Sequence, residues 1–300
     1  MENPRQDGSS LRLVECPRDA MQGIEESIPT ERKVRYLNKL LRVGFHTLDM
    51  GSFVSPKAIP QMADTAEVLR RLDPDPHGTR LLVIVANERG AHDAASVDRV
   101  DDLGYPFSVS ETFQRRNTNA SIEESLDRVK AIRDIAGEAG KRLVVYLSMG
   151  FGNPYGDPYS PELVEDWSAR LHDLGISILS LSDTVGVAKP HTIEYLFSRL
   201  IPALPDVEFG AHFHTAPHNW KEKIRTAYEH GCRRFDAALL GYGGCPMARD
   251  ELIGNMPTEH FISYFDPENI GSGLDVEALE EAMREALNIF GPSRFRTPLF

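Results

Sequence analysis

Residues 207–214 read VEFGAHFH, an apolar run of strand length that closes on two histidines one residue apart. Side chains of a strand alternate between its faces, so His212 and His214 share one face and can direct both imidazoles at one point. The run is nearly continuous in apolar character, as in a parallel sheet covered by helices on its faces. Segments of the same style lie on both sides of it: Leu11–Cys16, Phe45–Met50, Arg80–Ala86, Leu143–Leu147, Ile176–Leu181 and Arg234–Leu239. A weaker segment, Arg99–Val109, fills the long interval between the third and the fifth and completes a set of eight.

Helical patterns separate these segments. Glu31–Val43 places Val34, Leu37, Leu40 and Leu41 on one face. Ser121-Ile-Glu-Glu124 is a capping box, continued by the apolar stripe Leu126, Val129, Ile132 and Ile135. Ser160-Pro161 offers an N-cap followed by proline at the first helical position. A last helix spans Val276–Phe290. Eight strand-then-helix units in 300 residues predict a TIM (β/α)8 barrel. An open doubly wound sheet is the second choice, but no G-x-G-x-x-G follows the first strand. With no low-complexity tract or linker in view, residues 1–300 read as a single domain, of which 1–10 are expected to be flexible.

Composition narrows the class. Hydrophobic residues form 41% and charged residues 26% of the chain, which excludes a disordered protein. No apolar run approaches the roughly 18–20 residues of a membrane span, and residues 1–10 lack the apolar core of a secretory signal. Three cysteines, Cys16, Cys232 and Cys245, make no disulfide framework and suit a reducing compartment, so a cytoplasmic location is expected. A net charge of −12 argues against general nucleic-acid binding and leaves room for a local pocket that takes one anionic small molecule.

In a TIM barrel the chemistry sits where strands end and the next loops begin. Polar residues gather at those points: Arg18, Asp19 and Gln22 after the first strand, Asp49 on the second, and Asn87 after the third. Ser148 follows the fifth, Asp183-Thr184 the sixth, His212 and His214 close the seventh, and Gly243-Gly244-Cys245-Pro246 lie beyond the eighth. Barrel closure brings the ends of the first and seventh strands across one mouth, so Asp19 is the natural carboxylate partner of the two histidines. Two imidazoles and a carboxylate suit a divalent cation, with added oxygen ligands favouring Mg²⁺ or Mn²⁺. The plainer reading is that the histidines merely alternate with a buried Phe213. Arg18 is either a strand-end ion pair or a guanidinium that stabilises an oxyanion. Cys16 and Cys232 read as packing, whereas Cys245, on a glycine-rich loop, reads as a proton-transfer residue. Asp183 is either a helix cap or part of the same network.

Taken together these residues resemble the 3-hydroxy-3-methylglutaryl-CoA lyase family, within a wider group of TIM-barrel metal-dependent lyases and Claisen-type synthases. The resemblance rests on Pro17-Arg18-Asp19 with Gln22, Ser52-Phe-Val-Ser-Pro-Lys57 with Pro60-Gln-Met62, and Ser121-Ile-Glu-Glu-Ser125. It continues through Asp183-Thr-Val-Gly-Val187, His212-Phe-His214, Gly243-Gly-Cys-Pro246, and Gly254-Asn255 with Thr258-Glu259, in the family's order over nearly the whole chain. It implies retro-Claisen cleavage of an acyl-CoA substrate to acetyl-CoA and a 3-keto acid such as acetoacetate. It further implies Asp19, His212, His214 and Asn255 as metal ligands, and Arg18, Cys245, Asp49 and Asp183 as catalytic residues. A homodimer is the assembly it suggests. No phosphate fingerprint marks where the nucleotide of CoA would lie.

The chain departs from the family pattern around the site. Ala20 stands where lyases carry Gly, Asp49 where they carry Glu, and Thr215-Ala-Pro-His218 where they carry Asp-Thr-Tyr-Gly; Gly152-Asn-Pro154 replaces Gly-Cys-Pro. Two other functions compete: a synthase condensing acetyl-CoA with a 2-keto acid, and a barrel that binds acyl-CoA without turnover. The short tail after the last helix and the Cys245 loop speak against the synthase, and the joint presence of Arg18, Asp19, both histidines, Cys245 and Asn255 speaks against binding without turnover.

Overall fold

Strands rich in branched apolar residues, each followed by an amphipathic helix, can bury both faces only by stacking side by side in parallel. The computed structural model of the chain describes residues 11–24, 26–244, 253–265 and 273–291. Its first half runs β1 (Arg12–Glu15), α1 (Pro17–Gln22), α2 (Thr30–Val43), β2 (Thr47–Ser52), α3 (Thr65–Arg71), β3 (Arg80–Ile84), α4 (Glu88–Ala95), β4 (Asp102–Ser108), α5 (Glu111–Thr118) and α6 (Ile122–Glu138). It continues with β5 (Arg142–Ser148), α7 (Pro161–Asp173), β6 (Ile178–Asp183), α8 (Pro190–Ala203), β7 (Glu208–Phe213), α9 (Trp220–Glu229), β8 (Arg234–Ala237), α10 (Thr258–Phe265) and α11 (Val276–Phe290). The strands close into a barrel in sequence order, with β1 paired in parallel to both β2 and β8. This is the TIM barrel. Residues 1–10 lie outside the described set.

Local signals position the helices as the sequence suggests. Ser121 Oγ accepts the Glu124 N–H at 3.1 Å, and Glu124 Oε2 accepts the Ser121 N–H at 2.7 Å, which closes the capping box of α6. Ser160 Oγ accepts the Leu163 N–H and Pro161 occupies the first turn of α7. On α2, Val34, Leu37, Leu40 and Leu41 are buried, each worth about 1.5–3 kcal/mol relative to exposure. No helix among the described residues is long and apolar enough to cross a membrane.

Alternation along the strands divides the core in two. Leu81, Val83, Leu103, Tyr105, Val145, Leu147, Leu179 and Leu181 belong to the large cluster shared with the helices. Leu82, Ile84, Val144, Tyr146 and Ile178 form a separate, smaller cluster inside the barrel. Charge fills much of the remaining interior. Arg12, Arg80, Asp102, Arg142, Glu208 and Arg234 are each the first residue of a strand, so they gather at one end of the barrel. There Asp102 accepts from Arg80 Nη2 at 2.7 Å and from Arg142 Nη2 at 2.8 Å, while Glu208 pairs with Arg12 and Arg234. This ionic layer seals the barrel opposite the candidate site.

Burial alone would raise the Asp102 carboxyl, but hydrogen bonds from Arg142 and Arg80 outweigh it and hold the group below the usual range. A lowered native pKa means stability that is present above about pH 4, the unfolded aspartate value, and lost as pH falls through the native one. Asp102→Asn should therefore cost about 2–3 kcal/mol at pH 7, because both arginines keep some solvent contact. In urea melts the gap between wild type and variant should narrow below about pH 4; a gap independent of pH would refute the ion-pair account.

Candidate active site

At the other end of the barrel the strands open on a cavity of about 850 Å³, bordered by Arg18, Asp19, Asn87, Tyr146, His212 and His214 among others. The sequence after β1 reads as a loop, but Pro17 at the first helical position starts the short helix α1 there. Arg18 and Gln22 thereby fall one turn apart, and Arg18 Nη1 donates to Gln22 Oε1 at 2.8 Å and to Asp19 Oδ1 at 3.1 Å. Arg18 Nε and Nη2 donate to the Asp49 carboxylate at 3.0 and 2.5 Å, a two-pronged pairing buried behind the cavity wall. Burial pushes the Asp49 carboxyl above its ordinary value in spite of Arg18. Asp49 thus holds the guanidinium from behind.

The two histidines meet as the alternation requires. His212 and His214 both border the cavity, and their ring centroids are 5.3 Å apart. Phe213 between them points to the other face, against Phe151. Ligand atoms of Asp19, His212 and His214 all lie within 4.8 Å of one another. His212 Nδ1 is hydrogen-bonded to Asp236 Oδ2 at 3.1 Å, its registered neighbour on β8. This contact leaves Nε2 as the ring nitrogen free to ligate. Asp236 escapes a sequence reading because one acid in a short strand carries no spacing signal; its mark is a charge in an otherwise apolar segment.

Asp183, expected among the catalytic residues, does not border the cavity. Ser182 and Thr184 do, so alternation turns Asp183 outward. Both of its oxygens are committed: Oδ2 to Lys223 Nζ at 2.6 Å and Oδ1 to the Ala188 N–H at 3.0 Å. The Lys223 ammonium also donates to the carbonyls of His214 at 2.9 Å and Gly186 at 3.0 Å. Lys223 and Asp183 therefore pin the backbone of His214 from outside the barrel. The departing stretch after His214 turns into α9, which delivers Lys223 to that point.

Asn255 reaches the site through a short segment laid over the ends of β7 and β8. The Met256 N–H donates to Phe213 O at 3.1 Å, the Thr215 N–H to Gly254 O at 2.9 Å, and the Ala238 N–H to Met256 O at 2.9 Å. Asn255 Nδ2 then donates to Asp19 Oδ2 at 2.6 Å and to the Tyr242 carbonyl at 2.9 Å. Gly243 stands against this pair with φ +106°; a Cβ there would come within 2.2 Å of Asn255 Nδ2 and 2.9 Å of Asp19 Oδ2. Only glycine fits. Cys245 lies outside the described residues.

The donor set fits a divalent cation. Burial pushes the Asp19 carboxyl up, but Arg18 and the two imidazoles outweigh it, so it is held at about 2 and is ionised at neutral pH. Burial, with His212 adjacent, lowers His214 to about 4, so that ring is neutral. An anionic oxygen and a neutral nitrogen are what a cation requires of its ligands.

Comparison with known proteins agrees with the barrel fold. A sequence model of the family described as HMGL-like matches residues 13–285. The cytoplasmic 3-hydroxy-3-methylglutaryl-CoA lyase of Rattus norvegicus is 32% identical over 288 residues, covering 93% of this chain and 83% of that protein. The solved structure of the Bacillus subtilis HMG-CoA lyase superposes with a TM-score of 0.88 at 32% identity, covering 96% of each chain. An HMG-CoA lyase of Acinetobacter baumannii, solved with coenzyme A and 3-methylmalate, gives a TM-score of 0.87 at 28% identity over 97% of this chain and 95% of that one.

Two substitutions test the arrangement by calorimetric titration with Mn²⁺. Asp236→Asn removes the anion behind His212 and should weaken binding about 10–100-fold. Gly243→Ala should disrupt the Asp19–Asn255 contact and weaken binding at least as much, because its Cβ has no space. Unchanged affinity in either variant would show that the contact does not support the cation.

Proposed function

The chain belongs to the HMGL-like family, and from that premise we propose that it cleaves 3-hydroxy-3-methylglutaryl-CoA to acetyl-CoA and acetoacetate. The observation that carries this reading is the convergence of Asp19, His212 and His214 beside Arg18 at the open end of the barrel. Asp19, His212, His214 and Asn255 would hold the cation, with Mn²⁺ or Mg²⁺ proposed. Two nitrogen donors favour manganese of that pair. When bound, such a cation chelates substrate oxygens, fixes their geometry and lowers the pKa of the 3-hydroxyl.

The protein's own groups then have separate tasks. As the hydroxyl loses its proton, the oxygen pair forms the new C=O at C3 and the C2–C3 bonding pair passes to C2 as the thioester enolate. Arg18, aligned by Asp49 and Gln22, faces the negative charge that develops on the thioester oxygen. Cys245 donates the proton that converts C2 to the methyl of acetyl-CoA. Asp49 does not border the cavity, so the hydroxyl proton reaches it only through a relay. Asp183 acts at a distance, by fixing His214 through Lys223. The free, buried thiols of Cys16 and Cys232 support placement in a reducing cytoplasm.

A coupled assay with 3-hydroxy-3-methylglutaryl-CoA and Mn²⁺ or Mg²⁺ should give acetyl-CoA and acetoacetate in equal amounts, and none after chelation. Arg18→Lys loses the two-pronged contact and should lower kcat about 10²–10³-fold. Cys245→Ser should lower turnover strongly while leaving Mn²⁺ affinity intact, whereas His212→Ala should weaken Mn²⁺ itself. Release of free CoA thiol from acetyl-CoA and pyruvate, with no carbon–carbon cleavage of 3-hydroxy-3-methylglutaryl-CoA, would replace the lyase by a condensing enzyme.

A further inference from the structure

Around the imidazole of His212 a second group of ligand atoms gathers, and its sulfur, that of Cys16, has no part in the lyase reading. Cys16 follows β1, Asp236 lies on β8 and His212 on β7; β8 pairs with both of the others, so three adjacent strands bring these side chains together. The Cys16 sulfur, a His212 ring nitrogen and an Asp236 carboxylate oxygen all lie within 4.8 Å of one another. Asp236 is 3% exposed, and its Oδ1 has no hydrogen-bond partner among the described residues. The buried hydroxyl of Tyr146, whose ring meets His212 edge-on, has none either. Leaving a buried polar atom unpaired is costly, and a bound cation would satisfy it at Asp236.

We propose that Cys16, His212 and Asp236 form a site for a thiophilic divalent cation of the zinc class, and that its occupancy excludes the cation held by Asp19, His212 and His214. The donor set selects the ion: sulfur and imidazole suit zinc or cobalt and offer little to Mg²⁺. Metal–ligand bonds of about 2.0–2.3 Å place tetrahedral ligand atoms about 3.3–3.7 Å apart. His212 Nδ1 and Asp236 Oδ2, at 3.1 Å, already stand near that spacing. Cys16 Sγ rests 3.8 Å from the Val14 carbonyl, a weak contact that a side-chain rotation gives up. On binding, the thiol proton leaves to solvent as the metal–sulfur bond forms. The ring hydrogen moves from Nδ1 to the other nitrogen, which then has no lone pair for a second ion. Exclusion follows from that single imidazole. The binding itself does not depend on the lyase reading; only the exclusion rests on the proposed catalytic cation.

Cobalt(II) tests this in the full chain carrying Cys245→Ser, which removes the thiol of the Gly243–Pro246 stretch. Added Co²⁺ should give a near-ultraviolet sulfur-to-cobalt charge-transfer band that disappears when Cys16→Ser is added, while Cys232 is retained. Cys16→Ala should behave alike, with an unchanged thermal midpoint confirming that the fold survives. Saturating Mn²⁺ should suppress the band. Absence of the band, or its persistence without Cys16, overturns the site whatever the lyase assay shows; a band indifferent to Mn²⁺ overturns the exclusion.

Discussion

The carboxylate of Asp19 is where the two ends of the chain are joined in function. One oxygen accepts from Arg18 and the other from Asn255, and both imidazoles of β7 stand within ligand distance. Each contact comes from a different part of the fold: α1, the segment over β7 and β8, and β7 itself. The contacts with Asn255 and with the imidazoles could not form in an open sheet, because β1 and β7 meet across one mouth only when β1 and β8 pair. Closure of the barrel and assembly of the site are one event.

Keeping so much charge inside the barrel requires that it be paired. The desolvation cost of an isolated buried ion is several kcal/mol, and the interior meets it with fixed partners. At the sealed end, Asp102 and Glu208 are held among Arg12, Arg80, Arg142 and Arg234. At the open end Arg18 is spread over Asp49, Asp19 and Gln22, and Lys223 ties Asp183 to the backbone of His214. Outside the cavity, Asp236 and Lys223 hold the two histidines from opposite directions, one by the ring and one by the carbonyl. The supports of the site, Asp49, Asp183, Lys223 and Asp236, are themselves buried.

Much of this was legible in the sequence, for reasons that can be named. The strands show because runs such as Arg80–Ala86 are apolar on both faces, and the barrel follows from their number and spacing. Boundaries shift where polarity misleads: Asp183 keeps its ladder with Phe213, so β6 extends past the last apolar residue, and β2 runs on to Ser52 through a bulge after Asp49. Asp19 and the histidine pair were readable from strand ends and alternation. Asp183 was expected at the site from its place at a strand end, but its neighbours Ser182 and Thr184, not itself, border the cavity. Asp236 and Lys223 gave no spacing signal, since each acts through a neighbour brought close only by strand register or helix docking. The need for Gly243 becomes visible only once Asp19 and Asn255 are seen beside it.

The central claim is that one divalent cation is bound by Asp19, His212, His214 and Asn255. A crystal of the full chain grown with Mn²⁺, with anomalous differences collected at the manganese edge, tests it most directly. A single peak bonded to the carboxylate, both rings and the amide oxygen is the expected result. A peak elsewhere, or one in contact with the histidines while Asp19 stays bound to Arg18 and Asn255 alone, would contradict it.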